Sequence, residues 1–463
     1  MALATSGSQS HSLRPKRLHL ESVNMNSIPL PEPHFLEEDP TPDRLQQAFI
    51  MNMRAWLLLL AENSGGQIHQ EQGLIWTYTS AWGGRGALAF PQLDPIQTDE
   101  QLDTIIEFYR HCHPLQEVMY WSMAPARPAD LETQLLARGF EWNWRPHWMW
   151  LDFRHMRTNH ARPSELRIEI VQDEPDWEID DLPYYSREDP SLPYTQTNPQ
   201  LIWHFAARLR DQVVGHCTLL LTTGEMGIAG IFSMGVVPSA RNQGIGKALV
   251  LVACQFAQER GYHHAALNAT GLGEPMYRRV GFVSLGYGYT WLLRGQTLAA
   301  PPPTRPQIAF IEAIGRGDTD MLDEVSKHLQ DNSFNAPLAS DITPLQIAVK
   351  LQQPRSATWL IEHGTPLDVL SAWDLGWKNH VPELLAKSPH LANERSGPWQ
   401  LTPLQIAAQR GDIALARVLL TAHPDLDLRD AEFHGTALSW AKHFQRTKII
   451  ELIETYLGRM KPS

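Results

Sequence analysis

Cysteine is scarce in this chain. Its 463 residues include only Cys112, Cys217 and Cys254, too few for a disulfide framework and too apolar in setting for a metal site. Cys217 and Cys254 fall in strand and helix patterns, so they are expected in the core of a protein from a reducing compartment. No apolar run nears the ~20 residues of a membrane span; Trp56 to Ala61 is short. Residues 1–28 are polar and lack the apolar segment of a signal peptide, so a disordered tail and a cytoplasmic protein are expected. An excess of basic residues is missing too. With 39 Lys and Arg against 51 Asp and Glu, the formal net charge is −12, which argues against a nucleic-acid backbone as the main ligand. The length suits two to four domains.

The richest stretch lies near the middle. Ile228 to Val237 reads as a buried strand ended by Pro238, and Lys247 to Ala253 as the start of a helix with a broad apolar face. Between them stands Arg241-Asn242-Gln243-Gly244-Ile245-Gly246. Glycines there leave backbone N–H groups open, and the positive helix end behind them suits a phosphate. Arg241 adds a cation. A dinucleotide fingerprint would want glycine where Leu249 stands, and a Walker loop would want Lys-Ser/Thr at another spacing.

R-x-x-G-x-G after a strand ending in Val-Val-Pro instead resembles the acyl-CoA loop of the GNAT superfamily of N-acyltransferases. Downstream, Ala265 to Asn268 reads as the next strand. Gly273 to Phe282 looks like that family's short helix with its Tyr-x-x-x-Gly-Phe ending. The resemblance spans Leu166 to Leu293. It implies that acetyl-CoA is the acyl donor and that no metal takes part. Met234, Gly235 and Val236 would pair with pantetheine, and a bulge at Gly235 would free an N–H to polarise the thioester. Arg241, Asn242, Gln243, Gly244, Ile245, Gly246 and Lys247 would cradle the pyrophosphate. Asn268 would bond the pantetheine amide, and Tyr277 would protonate the departing thiolate.

The general base stays open. Relatives often place a Glu on the strand that holds CoA, but Ile228 to Val237 has no acid. His216, His204 and Glu225 are candidates, of which His216 is the one read as catalytic. An acidic stretch, with Asp173, Glu174, Asp176, Glu178, Asp180, Asp181, Glu188 and Asp189 against Arg187, is either a solvated loop or a wall that draws a cationic acceptor. Glu178, Asp180 and Asp181, with Tyr184 and Tyr185, are the candidate acceptor contacts.

On either side the chain is less uniform. In residues 29–155, helical spacing runs from Asp43 to Ala61 and from Glu100 to His111. Strand patterns fall at Leu74 to Ser80, Ala87 to Leu93 and Glu117 to Met123. Asp130 to Phe140 resembles a final GNAT helix with its Gly-Phe, without a phosphate loop before it. This half therefore reads as a degenerate GNAT-like lobe beside the catalytic domain at 165–296. Trp142, Trp144, Trp148 and Trp150 share one strand face, as core or as an acceptor wall. A Pro-rich linker at 297–306 follows. Beyond it, Thr343-Pro344-Leu345-Gln346-Ile347-Ala348 recurs as Thr402-Pro403-Leu404-Gln405-Ile406-Ala407, with a weaker copy at Gly435 to Ala441. Thr402 and Thr436 stand 34 residues apart, near the ~33-residue ankyrin period, so residues 307–463 resemble ankyrin repeats with an irregular unit near Asp368 to Ser396.

The expected fold is thus an α/β GNAT fold in two lobes, followed by an all-α ankyrin-repeat solenoid. The expected function is acetylation of a primary amine on a cationic small molecule, such as a polyamine or an aminoglycoside-like or peptide antibiotic. The alternative is a protein acetyltransferase whose repeats recruit the target. The repeats could also serve self-association.

Overall fold

The computed structural model describes residues 35–71, 73–159, 161–171, 177, 179, 181–185, 200–329, 334–397, 399–431 and 434–460. They form two compact units. One comprises Glu141–Ala300 with the described residues up to Leu131; the other comprises Glu132–Phe140 with those from Pro301 onward.

The chain begins with α1 (Pro42–Asn63), β1 (Gln67–Glu71), β2 (Leu74–Thr79), β3 (Arg85–Ala89), α2 (Thr98–Arg110) and β4 (Glu117–Met123). Next come α3 (Leu131–Ala137), β5 (Glu141–Trp142), β6 (His147–Asp152), β7 (Leu166–Val171), β8 (Ile202–Leu209) and β9 (Gln212–Leu221). After these follow β10 (Ala229–Val236), α4 (Ile245–Gln258), β11 (His264–Ala269), α5 (Glu274–Val280), β12 (Val283–Arg294) and α6 (Gly295–Ala299).

The twelve strands among the described residues join one sheet, in the order β1-β2-β3-β4-β12-β6-β11-β10-β9-β8-β7, with β5 also on β12. The order interleaves early and late strands. Strand β6 lies between β11 and β12, and the second half of β12, Gly288–Arg294, pairs antiparallel with β4. The expected division between residues 155 and 165 is therefore crossed by backbone hydrogen bonds, and the two stretches share a single sheet.

Helix α1 starts on a Thr41 side-chain cap with Pro42 at its first turn. It lies over β10, where Asn52 donates to the carbonyls of Leu220 and Ile228. A Cβ on Gly230 would fall 1.9 Å from Asn52 Oδ1, so only glycine lets the helix approach this closely. Under α1, Phe49 packs on Trp148 with ring centroids 4.7 Å apart, and Trp121 on both Trp144 and Trp148. Trp144, Trp148 and Trp150 thus belong to this core, while Trp142 packs on Trp291. The tryptophan stripe is packing. The single strand expected to carry all four tryptophans is broken at residues 143–146, and β6 starts only at His147.

On the other side, α4 is buried on nearly every face, its Leu249 and Cys254 sharing a core with Phe205, Cys217 and Val237. Both cysteines are free and buried, as the apolar patterns suggest.

The second unit is a run of short helices: α7 (Arg305–Arg316), α8 (Thr319–Ser326), α9 (Pro344–Lys350), α10 (Pro354–Glu362), α11 (Val369–Asp374), α12 (Val381–Lys387), α13 (Pro403–Arg410), α14 (Ile413–Leu420), α15 (Ala437–His443) and α16 (Thr447–Met460). Thr304, Thr343 and Thr402 each accept from the backbone N–H of a glutamine three residues on, whose side chain caps back. Gln346 and Gln405 therefore close capping boxes. Gln405, fully buried, also donates Nε2 to the carbonyls of Leu428 and Gly435, reaching into the next repeat. The unit around α11 is irregular, with six residues in that helix and 3-10 turns flanking α12.

Residues Glu132–Phe140, expected to end the first lobe, cluster with this second unit instead. A Cβ on Gly315 of α7 would fall 2.4 Å from Thr133 Oγ1, and buried Arg138 stands 3.8 Å from Glu312. The expected boundary at residue 307 misses this stretch.

Candidate functional site

The site begins where two parallel strands part. Strands β10 and β11 pair from Ala229↔Ala265 to Ile231↔Leu267 and no further among the described residues. On its other edge β10 pairs Phe232 with Thr218, then Gly235 with His216, so Ser233 and Met234 together oppose Cys217. This is a β-bulge, and Ser233 adopts a left-handed φ of 45°. The expected bulge at Gly235 thus lies one to two residues earlier, because Ser233 carries the unusual backbone. Gly235 has a different constraint: its Cβ would fall 2.6 Å from the Pro183 carbonyl oxygen. Bulge and splay leave the inner edge of Met234, Gly235 and Val236 facing a gap, where an extended amide-bearing chain can add as a strand. Asn268 is the first residue of β11 beyond its last pair with β10.

The loop beyond β10 turns sharply. Asn242 has φ of 62° and Gly244 of 81°, and Gly244 caps α4 with no side-chain bond to its N–H groups. Arg241 donates Nε to the Val236 carbonyl at 3.1 Å, and Gln243 donates to Ser239. Ile245 anchors the loop in the core. Around Gly246, a Cβ would make only ordinary contacts, 3.6 Å or more from Val236, Met234 and Met276. The chain's own packing does not require glycine there, although a helical glycine costs about 1 kcal/mol relative to alanine. Such a glycine keeps the backbone open to a ligand.

A connecting segment lies against this loop. Lys247 donates Nζ to the Asn159 carbonyl at 3.1 Å, and the Ala161 carbonyl faces Gly244. Partial burial, with Arg279 and Arg157 near it, holds the Lys247 ammonium below its ordinary range. Arg157 is fixed by its own N–H, which donates to the Val280 carbonyl. Arg157 and Arg279 therefore join Lys247 in a cationic group that sequence reading missed. Arg279 sat within the quoted helix motif; Arg157 carried no local signal.

Tyr277, one turn into α5, is buried beside Phe282. Burial, with Cys217, Tyr184 and Cys254 near it, raises its phenol well above the usual range. It stays protonated at physiological pH. Cys217 is the residue opposite the bulge, so Tyr277 shares its surroundings with the bulged segment. His216, buried, pairs with Gly235 and places Nε2 2.7 Å from the Pro183 carbonyl. A carbonyl only accepts, so Nε2 carries the proton and Nδ1 is the basic nitrogen. Burial lowers the His216 pKa.

Tyr185 packs against Trp177 and His216, and Tyr184 is exposed with φ of 62°. Asp181 is exposed. Glu178 and Asp180, like Asp173, Glu174, Asp176, Arg187, Glu188 and Asp189, lie outside the described residues. His204 bonds Thr218, the partner of Phe232 at the edge of the bulge, and Glu225 stands on the β9–β10 turn.

Residues 133–282 match the model of the Acetyltransferase (GNAT) family. This segment is a GNAT-family acetyltransferase domain. The GNAT segment is joined to ankyrin sequence, since residues 399–431 match the Ankyrin repeat model. Over 82 residues, 17% of this chain, it is 29% identical to a glucosamine 6-phosphate N-acetyltransferase of Trypanosoma brucei brucei. The chain spans about half of that relative's length, 56%. Among solved structures, a GCN5-related N-acetyltransferase from Kribbella flavida is similar at 18% identity and a TM-score of 0.40, over 53% of this chain and 95% of that one. A tandem GNAT protein from the clavulanic acid biosynthesis pathway is similar at 13% identity and a TM-score of 0.38, over 50% of this chain and 82% of that one. No helix among the described residues is long and apolar enough to cross a membrane, and no group of metal-ligating side chains is found among them.

Proposed function

We propose that the first unit transfers an acetyl group from acetyl-CoA to a primary amine of a cationic small molecule, by direct attack within a ternary complex. One observation carries this reading: β10 parts from β11 after Ile231, bulges at Ser233 and Met234 on its β9 side, and runs on into a loop where Gly246 has room for a methyl group that it does not carry. Acetyl-CoA supplies the thioester.

The edge of Met234 to Val236 and Asn268 would hold its pantetheine arm, and the loop from Arg241 to Lys247, with Arg157 and Arg279, its phosphates. The bulge polarises the carbonyl through a backbone N–H. His216 Nδ1 takes the amine proton, directly or through water, and Tyr277 gives its proton to the leaving sulfur. Aromatic Tyr184 and Tyr185 and the acid Asp181 favour a cationic acceptor.

The ankyrin-repeat match favours a second reading, in which the repeats bring a protein to the site. Thiol release from acetyl-CoA, measured with polyamines and amino-sugar antibiotics and in parallel with protein acceptors, separates the two. Turnover with a small amine supports the first reading. Silence across the amines, with acetylation of a protein, replaces it with the second. Truncation after Pro306 is a poor substitute, because Glu132–Phe140 packs within the repeat unit.

A further inference from the structure

Three side chains unused by acetyl transfer form a relay. Ser284 is the second residue of β12, where the register with β6 slips between Ser284 and Gly286. The slip turns the exposed Ser284 hydroxyl towards His147 of β6, whose Nε2 lies 2.8 Å from Ser284 Oγ. His147 is buried between β11 and β12, and its ring lies flat on Tyr287 with centroids 4.3 Å apart. Its other nitrogen, Nδ1, stands 3.1 Å from Glu274 Oε2 at the start of α5. That contact is not an aligned hydrogen bond, a looseness common in catalytic pairs before substrate binds. Glu274 is itself held, since Arg278 donates Nε to Oε1 at 2.7 Å.

The protons follow from the partners. The Glu274 carboxylate can only accept, so the His147 nitrogen facing it holds the ring proton, while the Gly286 N–H donates to Ser284 Oγ at 3.2 Å. Nε2 is then the acceptor, and Nδ1 carries the ring proton that faces the carboxylate. Gly286 has φ of 120°, and nothing lies within 4 Å of where its Cβ would be. Ser284 is itself exposed, so its hydroxyl is accessible from solvent.

We propose that Ser284, His147 and Glu274 form a nucleophilic triad that takes an acyl group from a short, activated ester or thioester and passes it to water. Ser284 Oγ attacks the acyl carbonyl while His147 Nε2 takes its proton. The bond to the leaving alcohol or thiol breaks, and His147 returns that proton to the leaving group. Water then attacks the acyl-serine, its proton going to His147, and a carboxylic acid departs as Ser284 regains its hydrogen. Glu274 keeps the ring in the required tautomer and balances the imidazolium.

The test uses the full chain with a fluorophosphonate probe and peptide mass spectrometry. A single adduct on Ser284 is expected, with hydrolysis of 4-nitrophenyl acetate falling on the order of 10²-fold or more in Ser284→Ala and His147→Gln. No adduct, or an adduct only on another serine, overturns the proposal, and because the wild-type chain gives that answer it does not depend on a variant folding. Hydrolysis unchanged in a folded Ser284→Ala also overturns it. A purely structural network would lower the melting temperature of Ser284→Ala while the wild-type chain stays unlabelled.

Discussion

The position that a Cβ would occupy on Gly244 lies 2.3 Å from the carbonyl oxygen of Ala161. The same glycine has φ of 81°, so any side chain there meets both a clash and a strained backbone, together at least about 1–2 kcal/mol. Gly246 is the contrast, with room for a methyl group. Gly246→Ala should raise the melting temperature slightly yet weaken acetyl-CoA binding about tenfold or more. Gly244→Ala should lower both. Thermal melts with and without the coenzyme read the difference.

Tyr277 supplies a hydroxyl from inside the core. Tyr277→Phe keeps the ring contact with Phe282 and should leave the dissociation constant for acetyl-CoA within about twofold, while turnover falls about 10²-fold or more. Thiol-release kinetics and calorimetry measure the two. Equal loss of both would move Tyr277 from proton transfer to packing.

His216 predicts an acid limit to stability. Burial depresses its folded pKa below the ordinary 6.5. Above pH 6.5 neither folded nor unfolded chain protonates it, so it adds no pH dependence. Below that value the unfolded chain gains a proton that the folded one resists, and stability falls as pH drops towards the folded pKa. His264, also lowered by burial, acts in the same direction. Melting temperatures at pH 7.5 and 5.5 should differ more for the wild-type chain than for His216→Gln.

Gln405 and Gln346 occupy equivalent repeat positions with unequal surroundings. Both close capping boxes, but Gln405 is fully buried and also serves the carbonyls of Leu428 and Gly435. Gln346→Ala should cost about 0.5–1 kcal/mol. Gln405→Ala should cost more, about 1–3 kcal/mol, because the half-buried Leu428 carbonyl loses its donor and the Gly435 carbonyl keeps only the Asp430 N–H. Urea unfolding followed by helical circular dichroism distinguishes them.

Contiguous features were legible in the sequence. Pro238, Arg241, Gly244 and Gly246 declared a strand, a turn and a helix start within a few residues, and Tyr277 lay inside one short motif. The Thr-Pro-Leu-Gln repeats declared themselves because each carries its own helix cap. Features made by distant pairing were hidden. Nothing local says that β6 enters between β11 and β12, over a hundred residues away, or that Glu132–Phe140 clusters with the repeats. The bulge fell on Ser233 and Met234, one to two residues before the glycine expected to hold it, and Gly235 instead clears the Pro183 carbonyl. Arg157 joins the cationic group from a distant stretch of chain, with its backbone N–H on the Val280 carbonyl.

The most direct test is calorimetric titration of the full chain with acetyl-CoA. The account predicts one site per chain that weakens sharply with salt and is lost in Arg241→Ala combined with Lys247→Ala. A titration without heat, or binding unaffected by that double change, would contradict the assignment of the loop after β10 as the coenzyme's seat.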